Sequence, residues 1–180
     1  MRTAILILLV ACASASHYDT VTTSWTRTAT LRGQYQEALH LAATFKSPEW
    51  REAHAVRDAD NRGLTGEARD QQLAQAKADT AGPYEVELMV TTWDRRENDL
   101  DRGKKSVWKV VLVDDQGHEL EPLEIVKDKR PPFTVLAEFP ALGDFATPYV
   151  AQFPRSSSGH PVRLRMSSER GGVEIAWAAN

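Results

Sequence analysis

Few residues in this chain offer a starting point for chemistry. There is one thiol, at Cys12, and there are five imidazoles, at His17, His40, His54, His118 and His160. No two histidines stand four apart, as two ligands on one helix face must, and H-E-x-x-H is absent. Asp58, four residues after His54, would be a single weak ligand, so no metal and no cofactor is expected. Asp94 to Lys105 (D-R-R-E-N-D-L-D-R-G-K-K) gathers the oxygen ligands that calcium takes. Five basic residues share that run and the D-x-D-x-D-G spacing is missing, which predicts a solvated loop between strands. No G-x-S-x-G elbow marks a nucleophile; Ser156-Ser157-Ser158-Gly159-His160 reads as a flexible loop, and Arg170-Gly171-Gly172 reads as a hairpin turn. Trp93 flanks the charged run and Trp108 opens the apolar stretch that follows it. These two indoles are the candidate ligand-binding residues, able to stack on a sugar or a peptide; the commoner use of a tryptophan is to fill a core.

The setting of Cys12 gives the thiol its meaning. Arg2, an apolar run from Ala4 to Ala11 and then small residues form an export leader. Spanning a bilayer takes roughly 20 apolar residues, and this run turns polar at Ser14, His17 and Asp19 well before that. Leu9-Val10-Ala11-Cys12 resembles the bacterial lipobox, with a leucine three residues before the cysteine and small residues between. The resemblance implies that residues 1–11 are a signal peptide, that Cys12 is lipidated, and that fatty-acyl chains hold the protein on its membrane. Each acyl chain contributes about 0.8 kcal/mol per buried methylene, so two or three hold what one holds only marginally. Ala13 after the cysteine, in place of aspartate, points to the outer membrane. The rival reading is an ordinary secretory signal cut after Ala13-Ser14-Ala15, which would discard Cys12 and leave a soluble periplasmic or secreted protein.

Composition narrows the class. The 180 residues carry 22 Lys and Arg against 25 Asp and Glu, and the net charge of −3 becomes −4 once Arg2 leaves with the leader. No basic tract exists, so nucleic acid is not an expected partner. With Cys12 lipidated or removed, the remaining domain has no thiol for a disulfide, and packing must supply its stability. Five tryptophans are available for that.

The elements then follow in order. Residues 12–19 read as anchor and tether, and residues 20–180 as one domain. The threonine-rich alternation from Val21 to Leu31 predicts a strand ended by Gly33. Ala38 to Lys46 fits either a helix face or a strand face; strand is preferred because Ser47-Pro48-Glu49 starts a helix afresh. Two helices follow, Pro48 to Arg62 and Gly66 to Asp79, a hairpin whose apolar content is thin and which must lie on something else. Strands are predicted over Tyr84 to Trp93, over Val107 to Val113 as the central strand, and over Leu120 to Lys127 with Pro122 confining it to an edge or bulge. Four more are predicted over Phe133 to Phe139, Tyr149 to Phe153, Val162 to Met166 and Val173 to Trp177. The echo Ala137-Glu138-Phe139-Pro140 and Ala151-Gln152-Phe153-Pro154 reads as two strands with one kind of stop.

The expected fold is a mainly β, antiparallel β-sandwich of the immunoglobulin-like class with a helical hairpin inserted at about residues 48–80. The order strand-strand, hairpin opened by Ser47-Pro48-Glu49-Trp50-Arg51, then strands is similar to uncharacterised exported lipoproteins of bacteria. What these readings imply is a non-enzymatic, lipid-anchored envelope protein that contacts an envelope protein partner through its sheet edges or its hairpin. Alternatives are a glycan- or peptide-binding module using Trp93, Trp108 and the 94–105 loop, and a hydrolase whose site the sequence does not identify.

Overall fold

The structure, a computed structural model, describes residues 16–33, 37–156 and 161–177. The leader, Cys12 and the loop residues Ser157 to His160 lie outside the described residues. The chain is an antiparallel β-sandwich with a helical hairpin inserted after the second strand. Its larger sheet has five strands in the order β1 (Thr26–Arg32), β2 (Glu37–Phe45), β3 (Tyr84–Thr92), β7 (Thr147–Phe153) and β6 (Glu124–Lys127). The smaller sheet has four, in the order β5 (Glu119–Leu120), β4 (Lys109–Asp114), β8 (Pro161–Ser168) and β9 (Gly171–Ala176). Every pairing is antiparallel. As expected, β4 lies inside its sheet, between β5 and β8.

Side chains alternate across a strand, so the facing positions can be read directly. Leu39 and Leu41 of β2, Val86, Leu88 and Val90 of β3, and Tyr149, Ala151 and Phe153 of β7 meet Val110, Leu112, Leu164, Met166, Val173 and Ile175 from the smaller sheet, all of them buried. The other face of β2 and β3 is covered too. Ala42 and Met89 point into a second apolar cluster with Tyr18 and Val21 of α1 (His17–Trp25), Trp50 and Ala53 of α2 (Pro48–Asn61), and Val135 of α4 (Pro132–Glu138) followed by Phe139. The molecule is therefore three layers deep: helices, sheet, sheet. In the hairpin, α2 lies on the sheet and α3 (Gly66–Asp79) buries no residue of its own. Ser47 caps α2 by accepting the Trp50 amide at 3.1 Å, with Pro48 behind it in the first turn.

Three expectations are corrected. Residues 16–25 form neither tether nor strand: Ser16 and Asp19 make a reciprocal capping box, and Tyr18, Val21, Thr22 and Trp25 fall on one helical face, so the domain begins before residue 20 and β1 starts at Thr26. Phe133 to Phe139 is not a strand, because Pro132 sits where a proline opens a helix and Val135 and Phe139, four apart, both turn inward. The Phe139-Pro140 echo accordingly ends a helix while Phe153-Pro154 ends a strand. Leu120 to Lys127 is two strands: Pro122, which has no amide hydrogen to give a ladder, marks where the chain leaves one sheet and enters the other.

Trp50 joins the helical layer. Its ring stacks on Phe139 at 5.6 Å between centroids and on His54 at 4.9 Å, and its indole N–H donates to Thr22 Oγ1 at 3.1 Å. Trp50→Ala should cost about 3–5 kcal/mol in urea unfolding, whereas Trp93→Ala, at a side chain 65 % exposed, should stay within about 0.5 kcal/mol.

Candidate functional site

The charged run from Asp94 to Lys105 folds as short 3₁₀ turns, Arg95–Glu97 and then Leu100–Lys105, the latter broken by a kink at Gly103. Its carboxylates are all taken up by donors, some within the run and some beyond it. Asp94 accepts the Arg96 amide at 2.9 Å and the Arg96 guanidinium, whose hydrogen bonds hold its carboxyl at about 2. Asp99 is buried and accepts Ser106 Oγ at 2.8 Å and the Val107 amide at 3.2 Å, while Asp101 pairs with Lys127 at 3.2 Å. Asn98 donates to the Val90 carbonyl and receives the hydroxyl of buried Tyr149, which fixes the run to the sheet. No group of three or more metal-ligating side chains occurs among the described residues.

Beside this run lies a groove of about 670 Å³. Leu100, Trp108 and Val110 belong to the buried core and form its base; Val107 and Leu123, 48 % and 61 % exposed, stand on its walls; Lys104, Lys109, Glu121 and Glu124 bring charges of both signs to its lining. It opens where the chain passes from β5 to β6, the two edge strands on one side of the sandwich. Of the two candidate indoles, Trp108 is in the groove, held by donation to the Glu97 carbonyl at 2.9 Å and only 4 % exposed. Trp93 is at the end of β3, its amide on the Ala38 carbonyl, and does not line the groove. The structure does not bring the pair together.

A second cleft, of about 560 Å³, lies between the helical layer and the five-stranded sheet, lined among others by Lys46, Arg51, His54, Glu85, Arg130 and Glu138. Behind it sits Glu87, completely buried on the outer face of β3. Lys46 Nζ lies 3.2 Å from one Glu87 oxygen, an ion-pair distance without hydrogen-bond geometry at either oxygen. Burial therefore dominates, and although Lys46 opposes it, the Glu87 carboxyl is pushed up to about 7. Glu138 goes the other way: burial raises it, but His54 at 3.6 Å and the Arg130 hydrogen bond outweigh that and hold it at about 2. Asp128 is likewise held low: burial raises it, and the Arg130 fork outweighs burial. Alternation with Tyr84, Val86, Leu88 and Val90 puts Glu85 and Glu87 on the face of β3 that would meet solvent in a two-layer sandwich. The counter-signal was Met89 and Ala42 on that same face, together with a hairpin that needed a surface to lie on.

A third cluster superficially suggests nucleophilic chemistry. Ser156 Oγ donates to Asp114 Oδ2 at 2.8 Å and His118 Nδ1 lies 3.1 Å from the same oxygen, while Oδ1 accepts the amides of Gln116 and His118. A catalytic relay runs hydroxyl to imidazole to carboxylate. Here hydroxyl and imidazole converge on one carboxylate oxygen, an arrangement that closes the Asp114-to-His118 turn.

Comparison with protein-family models, with curated proteins and with solved structures finds no match for this chain.

The buried Glu87 sets a pH dependence whose sign is fixed. Below its ordinary value of 4.5 both folded and unfolded chains hold the proton. Between there and about 7 the unfolded chain releases it first, so folding stability falls with rising pH, by on the order of 3 kcal/mol in all. Glu87→Gln should remove that fall, leaving the variant more stable than wild type at pH 8. Glu138 acts in a separate window, losing its stabilisation as pH falls through the range below 4. Urea midpoints of both proteins from pH 3 to 8 check this.

Proposed function

We propose that this chain is an exported, lipid-anchored protein of the bacterial envelope that works without catalysis, by holding a segment of another envelope protein. The observation that carries the reading is the groove beside Trp108. It lies at a sheet edge, where strands have backbone groups to offer, and an extended segment binds such an edge by main-chain pairing with alternate side chains in pockets. Its base is apolar, and lysines and glutamates at its rim supply partners of both signs. The leader and Leu9-Val10-Ala11-Cys12 supply the anchor, with the outer membrane favoured by Ala13. A glycan or free peptide in the same groove is the second reading, favoured by the indole of Trp108 at its base.

Two variants test the two halves separately. Wild type should partition with membranes and carry fatty acid on its mature amino terminus, and Cys12→Ser should lose both. Leu123→Asp should stay on the membrane and stay folded, yet reduce capture of a stoichiometric envelope protein by tenfold or more. A soluble wild-type protein beginning at Ser16 with no lipid mass would overturn the anchor. Capture unaffected by Leu123→Asp would overturn the groove, and saturable glycan binding abolished by the same substitution would select the second reading.

A further inference from the structure

Helix α4 is apolar on both faces. Val135 is buried and Phe139 follows it inward, while Phe133 and Leu136 point outward at 75 % and 49 % exposure and Ala137 is also exposed. Positions 133, 136 and 137 form one helical stripe with no charge in it, where a helix on a protein surface ordinarily carries polar side chains. Exposed Lys129 stands just before the helix.

The position of this stripe relative to the anchor gives it an occupant. The first turn of α1 lies against the last turn of α4: Tyr18 donates its hydroxyl to the Glu138 carbonyl at 2.9 Å. Arg57 lies 4.4 Å from the centre of the Tyr18 ring and donates to the Ala137 carbonyl at 2.9 Å. Ser16, at the cap of α1, is thus two residues from the side chain that reaches α4. Only Ala13, Ser14 and Ala15 separate it from Cys12, and a fully extended chain of that length spans about 14 Å. If acyl chains at Cys12 enter the bilayer, Ser16 is kept within that distance of the headgroups, with α4 one Tyr18 side chain further on, and the smaller sheet lies on the far side of the five-stranded sheet from both.

We infer that the Phe133, Leu136 and Ala137 face of α4 rests in the lipid interface of the membrane that holds Cys12, so that the domain is oriented on the bilayer and not merely tethered to it. The inference depends on the lipid anchor proposed above. Shallow insertion of aromatic and aliphatic side chains beside a basic residue is the chemistry by which short apolar elements engage an interface.

The chain's single cysteine makes the test clean, because lipidation consumes the Cys12 sulfur as a thioether and leaves any introduced thiol the only reactive one. Phe133→Cys, and Glu174→Cys on β9 as the distal control, are labelled with a polarity-sensitive fluorophore. Each lipidated protein is reconstituted into phosphatidylethanolamine and phosphatidylglycerol vesicles carrying a lipid-borne quencher near the headgroup. The position-133 label should be quenched several-fold more than the position-174 label and should be sheltered from iodide. A position-133 label as open to iodide as the control, on protein with the lipid mass, would overturn the inference while leaving the anchor standing. A label sheltered from both quenchers would overturn it in favour of a second protein copy. Protein without the lipid mass would overturn the anchor, and the inference with it.

Discussion

The constraint on which the structure depends is that β2 and β3, two inner strands of the five-stranded sheet, meet water on neither face. A strand in an antiparallel sheet commonly offers one face to a core and one to solvent. Here β2 and β3 bury nearly every residue, Leu39 and Leu88 towards the other sheet, Ala42 and Met89 towards the helices. The helical layer answers that need. Trp50, Tyr18 and Phe139 supply the aromatic area that the alanine-rich hairpin lacks, with Trp50 stacked between His54 and Phe139. The same covering traps Glu87 on an apolar-flanked face, and a row of ion pairs from Lys46 and Arg51 to Glu85, and from His54 and Arg130 to Glu138, closes the seam between layers.

How far the sequence revealed this follows from the same constraint. Where a strand has one face in the core and turn residues at its ends, as in Tyr149 to Phe153, alternation is sufficient. The α2 and α3 hairpin is legible because Ser47, Pro48, Gly63 and Gly66 punctuate it whatever packs below. Ala38 to Lys46 fits two periodicities because both of its faces are buried, and only the helix start after it decides for strand. The two misread helices fail for a related reason. Val21, Thr23, Trp25 and Phe133, Val135 are β-formers by type, and in both segments tertiary burial of i, i+3 and i+4 positions overrides propensity. The capping box at Ser16 and the proline at the start of α4 were the local signals that carried the correct answer.

The candidate sites divide along the same line. Trp108 was identifiable from its place before an apolar run, and the groove beside it depends on a change of sheet at Pro122 that no periodicity encodes. Trp93 and Trp108 stand at the two ends of one charged run, yet sequence proximity does not place them in one cleft. Glu87 was hidden by alternation: in β3 the glutamates occupy the positions that in a two-layer sandwich would face water.

The three-layer order also bears on the lipid anchor proposed above. The helical layer places the first turn of α1 against α4, so the described chain enters the domain on its helical side, and the smaller sheet is the layer furthest from that entry. In the central reading of this protein, it stands on its membrane in one orientation. Neutron reflectometry of the lipidated protein on a supported bilayer tests that claim most directly, using protein deuterated within α1 and α4 by segmental ligation. The account predicts that the deuterated layer lies at the headgroup boundary with the rest of the domain beyond it and no water layer between. A water gap beneath the domain, or deuterium spread evenly through the protein layer, would contradict it.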